Sequence, residues 1–320
     1  MGAPVHFVAN VGLAQPLPAS GAGIELTFDR LLMPACITRQ TFVLTTESGA
    51  GLTPTVTYDP VSRIVTVTPD APLTVGQTYT LTVLPRQPGV AYTQPVDTVI
   101  GVMAIDGATL DLTQSAADGG QPNVFAFQAT QPVTSVNAGA LVDCPGSDVA
   151  KIFAGSCGGA SCHNPPPGSM PAQGLVLTDP AGVLATAIGQ VAVGANTGAR
   201  PAAESPNVIF GLDMPIVDPG PGGGQVPMPG VTTPGGDPGN SWLMYKLLMA
   251  VPSPGDAGSI VPLSATERAT LASLVPGREM PYPGVPGTSL SALGLTIDQL
   301  ETISQWIAAG AQTQLSCPAP

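Results

Sequence analysis

Basic residues are scarce in this chain. Nine Lys and Arg stand against 21 Asp and Glu, which gives a formal net charge of −12. A chain with so few positive side chains has no basic face to follow a phosphate backbone. We therefore expect no nucleic-acid partner.

Long apolar runs are also missing. No stretch approaches the roughly 20 apolar residues that a membrane-spanning helix requires. The first residues, Met1 to Leu13, lack the basic start and the continuous apolar stretch of a signal peptide. We expect a protein without a transmembrane segment, in a form from which a signal peptide has been removed.

The chain has enough residues for two domains. Its length is 320 residues, and its hydrophobic content of 43% excludes wholesale disorder. Up to about residue 129 it reads as short alternating stretches separated by turn residues, as Ile24, Leu26 and Phe28 do. Similar apolar stretches recur at Val56 and Tyr58, Ile64, Val65 and Val67, Tyr79, Leu81 and Val83, and Phe125 and Phe127. Several short strands of this kind predict an all-β sandwich.

Three segments of this region carry a resemblance to a known family. They read GIELTFDRLLMPACITRQTFVLTT, TVTYDPVSRIVTVTPDAPLTVGQTYTLTVL and MAIDGATLD, and they resemble the Ig-like domains of bacterial surface and secreted proteins. The resemblance implies a fold and no catalytic role. The predicted organisation is an Ig-like sandwich over residues 1–130, a linker over 131–143 and a second domain over 144–320.

Helical periodicity replaces the strand pattern in the second domain. We predict a short helix at 148–154 and another at 240–249. Between residues 211 and 239 lies a Pro- and Gly-rich segment without either periodicity. Loops of this length are usually functional or disordered. The helical periodicity and this segment together predict a mainly α-helical domain with long loops.

Two further helices have start signals. Ser264 with Glu267, and Thr296 with Gln299, have the spacing of capping boxes, and Gly310 is placed to end the last helix. The apolar face of that last helix consists of Leu300, Ile303, Trp306 and Ile307.

The chemistry of the chain is concentrated in residues 157–163, which read CGGASCH. The pattern C-x-x-C-H marks haem attachment, in which two thiols bond to the porphyrin vinyl groups and the imidazole binds iron. Here four residues separate Cys157 from Cys162, and two glycines let the wider loop present both sulfurs and His163 on one side of a macrocycle.

Two other interpretations of this cluster remain open. Cys157 and Cys162 have a spacing that also suits a small-loop disulfide. Together with His163 and Cys144 they would also supply the four ligands of a tetrahedral zinc site. The heptapeptide alone does not decide between these chemistries.

The blocks downstream of the cluster carry a second resemblance. In order they read DVAKIFAGSCGGASCH, GLVLTD, PGGDPGNSWLMYKLL, REMPYPG and LTIDQLETISQWIAAGA. This order resembles the c-type cytochrome domains of exported multidomain bacterial proteins and covers residues 144–312. It implies a cytochrome c-like domain with one covalent haem c on Cys157 and Cys162, and with His163 as an iron ligand.

The same resemblance implies the second iron ligand. In such domains a Met-Pro pair before the last helix supplies it, and the matching residue here is Met280. The only other histidine, His6, belongs to the sandwich, so a thioether is the natural remainder. Met214 and Met228 also precede prolines and are kept as substitutes. Ligation by histidine and methionine favours the reduced iron.

The surroundings of the cluster lead to further expectations. Phe153, Leu247, Trp306 and Ile307 are candidate apolar walls of the haem site, although ordinary core packing explains them equally well. A main-chain carbonyl in the proline run 165–167 is a candidate acceptor for the imidazole N–H of His163.

Three cysteines remain outside the cluster. Cys144 and Cys317 stand at the two ends of the second domain, so we expect a disulfide between them, which would close a very long loop. Cys36 lies in the β region and is expected to be a buried thiol.

The function expected from these features is transfer of single electrons by a protein that is periplasmic, extracellular or on the cell surface. Residues 138–320 hold 12 acids against 5 bases, a difference of −7, which favours a redox partner with a basic patch. Two alternatives stay open. One is a surface or adhesion protein with a disulfide-tied module that lacks haem. The other is a haem peroxidase, if no second ligand closes the iron, although the domain has no second histidine for acid–base work.

Overall fold

The chain divides into two compact units. In this computed structural model they are Met1–Asn137 with Ser205–Phe210, and Ala138–Glu204 with Gly211–Pro320. No helix within the described ranges is long and apolar enough to cross a membrane. The structure describes residues 4–9, 17–18, 23–86, 101–113, 123–130, 143–158, 163, 171–192, 214–220, 235–256, 258, 260–281 and 294–314.

The first unit is built from two four-stranded sheets. One sheet has the order β1-β3-β6-β5 and the other the order β2-β8-β7-β4, and all pairs are antiparallel except β2 with β8. The strands are β1 Phe7–Ala9, β2 Leu17–Pro18, β3 Ile24–Phe28, β4 Phe42–Thr46, β5 Pro54–Asp59, β6 Ile64–Pro69, β7 Thr78–Val83 and β8 Val124–Thr130.

Strand alternation places the apolar side chains between the sheets. In β3 the side chains of Ile24, Leu26 and Phe28 are buried while Glu25 is exposed. Phe28 of one sheet contacts Phe42 of the other edge to face, with ring centroids 6.5 Å apart. The sandwich predicted from the period of two is therefore confirmed.

Two details of this unit follow from local geometry. Ile64, which the sequence grouped with Val65 and Val67, is only half-buried, because the side-chain alternation of β6 turns it to the other face. Cys36 is fully buried and its Sγ donates to the Met103 carbonyl oxygen at 3.6 Å. It is a thiol, as predicted, and burial raises its pKa to about 12.

The second unit is helical in its described parts. Its helices are α1 Asp148–Ser156, α2 Pro180–Thr186, α3 Trp242–Leu248, α4 Ala265–Leu274 and α5 Ile297–Ala308. Both predicted capping boxes, Ser264 with Glu267 and Thr296 with Gln299, are present at α4 and α5. Gly310 adopts φ +93° just after α5 and donates its N–H to the Ile307 carbonyl.

The core of this unit joins α1 to α5. The rings of Phe153 and Trp306 meet edge to face at 5.7 Å and both are buried. The indole Nε1–H of Trp306 donates to the Gln312 carbonyl oxygen at 2.9 Å, which satisfies its polar atom. Leu247 and Ile307 are buried as well, so all four candidate wall residues lie in the core.

Candidate functional site

Cys157 lies at the C-terminal end of helix α1. Ser147 caps the helix by accepting from the Ala150 N–H at 3.1 Å. Cys157 is the residue at the other end, and its N–H donates to the Phe153 carbonyl at 2.8 Å. Its side chain is 5% exposed and is a thiol. The helix end therefore holds the sulfur at a fixed place.

The residue after Cys157 has to be glycine. A Cβ at Gly158 would lie 2.4 Å from the Ala154 carbonyl oxygen and 3.0 Å from a methyl carbon of Thr178. Main-chain atoms cannot give way as a flexible side chain does. The first of the two glycines in the cluster thus allows the chain to leave α1 closely packed.

His163 is held by three hydrogen bonds. Its main-chain N–H donates to the Cys157 carbonyl at 3.2 Å, and its carbonyl accepts from the Leu177 N–H at 3.4 Å. The ring Nδ1 lies 3.0 Å from the Leu175 carbonyl oxygen. A carbonyl only accepts, so the ring proton is on Nδ1. The Nε2 atom has no hydrogen-bond partner among the described residues.

The environment of the ring favours its neutral form. His163 is 5% exposed. Burial lowers its pKa, and the hydrogen bond to Leu175 acts in the opposite direction. A neutral imidazole with a proton on Nδ1 offers the lone pair of Nε2, which is the state of a metal-binding histidine. The acceptor that the structure describes is Leu175, and the proline run 165–167, where an acceptor carbonyl was expected, lies outside the described residues.

Helix α2 holds the segment that carries Leu175. The Thr186 hydroxyl accepts from the Val176 N–H at 2.9 Å and lies 3.3 Å from the Val176 carbonyl. Asp179 caps the helix by accepting from the Gly182 N–H at 2.8 Å. This helix was not predicted, although the pair of Asp179 and Pro180 is a start signal.

The main chain of Met280 is hydrogen-bonded to helix α3. Its N–H donates to the Lys246 carbonyl at 2.9 Å, and its own side chain is half-buried. Lys246 is 5% exposed and its Nζ donates to the Pro276 carbonyl at 3.1 Å. Burial lowers the pKa of Lys246, and the charge of Glu279 acts in the opposite direction. Sequence reasoning missed Lys246.

The remaining predicted residues are placed only in part. Met214 is buried and its carbonyl accepts from the Ala192 N–H at 3.0 Å. Met228 and Cys162 lie outside the described residues. Among those that are described, Cys157 and His163 are joined directly, and no hydrogen bond links Met280 to either of them.

Two alternative interpretations of the cluster are wrong. Cys144 is disulfide-bonded, so its sulfur is not available as a thiolate for zinc. Cys157 is a thiol, which excludes a disulfide between Cys157 and Cys162. The partner of Cys144 lies outside the described residues, as does the predicted partner, Cys317. In the described ranges no three His, Cys, Asp or Glu side chains gather as metal ligands.

The residue before Cys144 is a buried aspartate that was not predicted as a site residue. The main chain of Asp143 forms a β-bridge with Thr313, and its carbonyl oxygen accepts from the Gln314 N–H at 2.9 Å. The residue is 1% exposed. Its Oδ2 has no hydrogen-bond partner among the residues that the structure describes. Burial, with the charge of Asp179, raises its pKa to about 6. Asp143, predicted to end the linker, thus joins both ends of the helical unit.

Similarity to known proteins is confined to part of the chain. Solved structures of the S-layer protein rSbsC, of surface layer protein SbsC domains 1-6 and of the N-terminal part of the bacterial S-layer protein SbsC each align with 41% of this chain at 16% identity. The aligned parts are 14%, 14% and 24% of those chains, and the TM-scores are 0.27, 0.28 and 0.27. At these values the likeness carries no inference about this chain.

A family model gives a more specific match. No curated protein matches the sequence. Residues 10–91 match the family described as a bacterial Ig-like domain. The matched residues run from β2 through β7 of the sandwich. The N-terminal unit therefore contains a bacterial Ig-like domain.

Proposed function

We propose that the helical unit is a c-type cytochrome domain and that the protein transfers single electrons outside the cytoplasm. One haem c would be bound covalently to Cys157 and Cys162, with His163 and Met280 as the iron ligands. The observation that carries the proposal is the hydrogen bond from His163 Nδ1–H to the Leu175 carbonyl. With the proton on Nδ1, Nε2 keeps a lone pair that can bind iron.

The described residues fit such a group. Cys157 supplies a thiol at a fixed helix end, and His163 supplies a buried imidazole in the tautomer that binds iron through Nε2. When bound, the haem supplies reversible one-electron chemistry. The chain's own contributions are orientation of the ring by Leu175, exclusion of water by burial, and a thioether from Met280 that favours the reduced state.

A location outside the cytoplasm rests on two features. Cys144 is disulfide-bonded, and stable disulfides belong to oxidising compartments. The other feature is the bacterial Ig-like domain. We propose the periplasm or the cell surface. The 12 acids and 5 bases of residues 138–320 suit a redox partner with a basic patch.

Intact-mass measurement of the full chain tests the proposal. The protein is expressed in an exported form together with haem-maturation factors, and a covalent gain of one haem is the expected result. The variant Cys157→Ala with Cys162→Ala should show no gain. Cys36→Ala serves as the matched control, because Cys36 is a buried thiol in the other unit. Absence of any covalent haem in the unmodified chain rejects the proposal.

One alternative has an observation in its favour. The match of residues 10–91 supports a surface protein in which the Ig-like domain is the working part and the helical unit is a disulfide-tied module. The same mass measurement separates the two, since this protein would carry no haem. If haem is present but Met280 does not bind it, the open iron would instead suit peroxidase chemistry.

A further inference from the structure

Lys246 stands between the helical core and the segment that carries Met280. All seven residues of α3, Trp242–Leu248, are buried, so this helix is a fixed part of the unit. The segment after α4 returns to it at two points. Lys246 Nζ donates to the Pro276 carbonyl at 3.1 Å, and Lys246 O accepts from the Met280 N–H at 2.9 Å.

The turn at residues 276 and 277 is shaped around the ammonium group. Gly277 adopts φ +85°, and a Cβ there would lie 3.3 Å from Lys246 Nζ. Glu279 adds an opposite charge near the same group. A buried ammonium is costly unless it is paired, so it holds its acceptor carbonyl firmly. The side chain thus fixes the start of the segment and the main chain fixes its end.

We propose that Lys246 is the positioning residue that holds the sulfur of Met280 in place as a ligand. The inference rests on the proposed function. Lys246 lies 30 residues from its acceptor Pro276 in the sequence. Its side chain would keep the Met280 sulfur from dissociating from the iron. The Met280–Lys246 main-chain bond persists in any variant at position 246, so a side-chain substitution tests the ammonium link alone.

The experiment compares Lys246→Met with Lys151→Met in the full haem-loaded chain. Lys151 is the matched control, because its ammonium pairs with Asp148 on an exposed helix face. Loss of a hydrogen bond from a buried charge shifts an equilibrium by about 10-fold or more. Imidazole, which competes with Met280 for the iron, should therefore bind Lys246→Met about 10-fold more tightly than the unmodified chain. The sulfur-to-iron charge-transfer absorption should weaken in the same variant.

A purely structural role for Lys246 would change the unfolding transition and leave imidazole binding alone. Equal imidazole affinity in Lys246→Met and Lys151→Met overturns the inference. Lys246→Gln, whose side chain is one bond shorter and uncharged, makes the same comparison if Lys246→Met does not fold. Haem without the charge-transfer band in the unmodified chain overturns both the Met280 assignment and this role. Absence of covalent haem, read from the mass, overturns the proposed function itself.

Discussion

The ring of His163 and the main chain of Leu175 are joined by a hydrogen bond of 3.0 Å from Nδ1–H to the carbonyl oxygen. Because the acceptor is a main-chain atom, no substitution of the Leu175 side chain removes it directly. The bond leaves Nε2 as the only ring atom that can bind iron. The histidine itself is therefore the group to change.

His163→Ala should abolish the low-spin spectrum of the haem-loaded protein. The reason is loss of the nitrogen ligand, and added imidazole should restore the spectrum by entering the vacated space. Absorption spectra of the purified oxidised and reduced protein measure this. His6→Ala is the matched control, since His6 is the only other histidine and belongs to the other unit. A His163→Ala protein with an unchanged spectrum would show that another residue binds the iron.

Sequence periodicity was sufficient where an element is long or its ends are marked. The 12 residues of α5 show one apolar face, and Thr296 and Gln299 mark the start. Helices α2 and α3 each have seven residues. Helix α3 is marked by its large apolar side chains, whereas α2 buries only Pro180 and Val183 and so shows no apolar face in the sequence. The predicted start of α3 at residue 240 is two residues early, because Pro238–Asn240 forms a separate 3-10 turn capped by Asp237.

In the candidate site, the side chains that carry the chemistry were predictable from the sequence, but the main-chain atoms that orient them were not. Cys157, His163 and Met280 were identified because their side chains carry the chemistry. The atoms that orient them are the carbonyl oxygens of Leu175 and Lys246, which every residue possesses, so no residue type marks them. The ammonium of a lysine in an apolar helix likewise gives no sign of which carbonyl it will meet. Such contacts are properties of the packed chain.

The disulfide at Cys144 should link it to Cys317. The proposed haem attachment uses Cys157 and Cys162, so Cys317 is the partner that leaves both thiols for haem. Non-reducing peptide mapping of the haem-loaded protein measures the linkage. A peptide in which Cys144 is linked to Cys162 would contradict both the pairing and the attachment site.

Removal of that disulfide should destabilise the helical unit selectively. Cys144→Ala with Cys317→Ala opens a very long loop, which costs about 2–5 kcal/mol in the free energy of unfolding. Denaturant unfolding followed through the fluorescence of Trp242 and Trp306, both in this unit, measures the change. Cys36→Ala lies in the other unit and should leave this transition unaltered.

Asp143 should make the helical unit less stable as the pH rises. Its pKa is raised to about 6 from an ordinary value of 3.8, so the folded state retains a proton that the unfolded state has lost. The destabilisation begins above pH 4 and is complete above about pH 6. Asp143→Asn should therefore raise the free energy of unfolding near pH 7.5 by about 1–3 kcal/mol, and the gain should shrink below pH 5. A gain that does not change with pH would rule out titration of Asp143.

Asp179→Asn isolates the second cause of that shift. Asparagine keeps the helix cap that Asp179 provides through the Gly182 N–H, and it removes the charge that acts on Asp143. The pKa of Asp143 should fall part of the way toward 3.8, so the loss of stability with rising pH should become smaller but should not vanish as it does in Asp143→Asn, because burial is the larger cause. Unfolding curves between pH 4 and pH 8 measure the shift.

His6 should also make its own unit less stable as the pH rises, but there the change is the loss of a favourable interaction rather than the ionisation of a buried carboxyl. Its Nδ1 lies 2.9 Å from an oxygen of Asp29 and its Nε2 lies 3.2 Å from one of Asp111. The hydrogen bond to Asp29 is the main cause that raises its pKa, and partial burial opposes it. Stability from protonated His6 is fully present below pH 6.5 and is lost as the pH rises through the raised pKa.

His6→Gln should therefore destabilise the sandwich more at pH 5.5 than at pH 8.5. The side chain of His6 is 28% exposed, so solvent screens the pair and the effect should be small beside that of removing a core residue. Thermal unfolding of the first unit, read in the far-ultraviolet circular dichroism of its strands, measures the difference. Raised ionic strength should reduce it, because the two carboxylates attract a charge that water partly reaches. An equal loss at both pH values would mean that His6 contributes through packing alone.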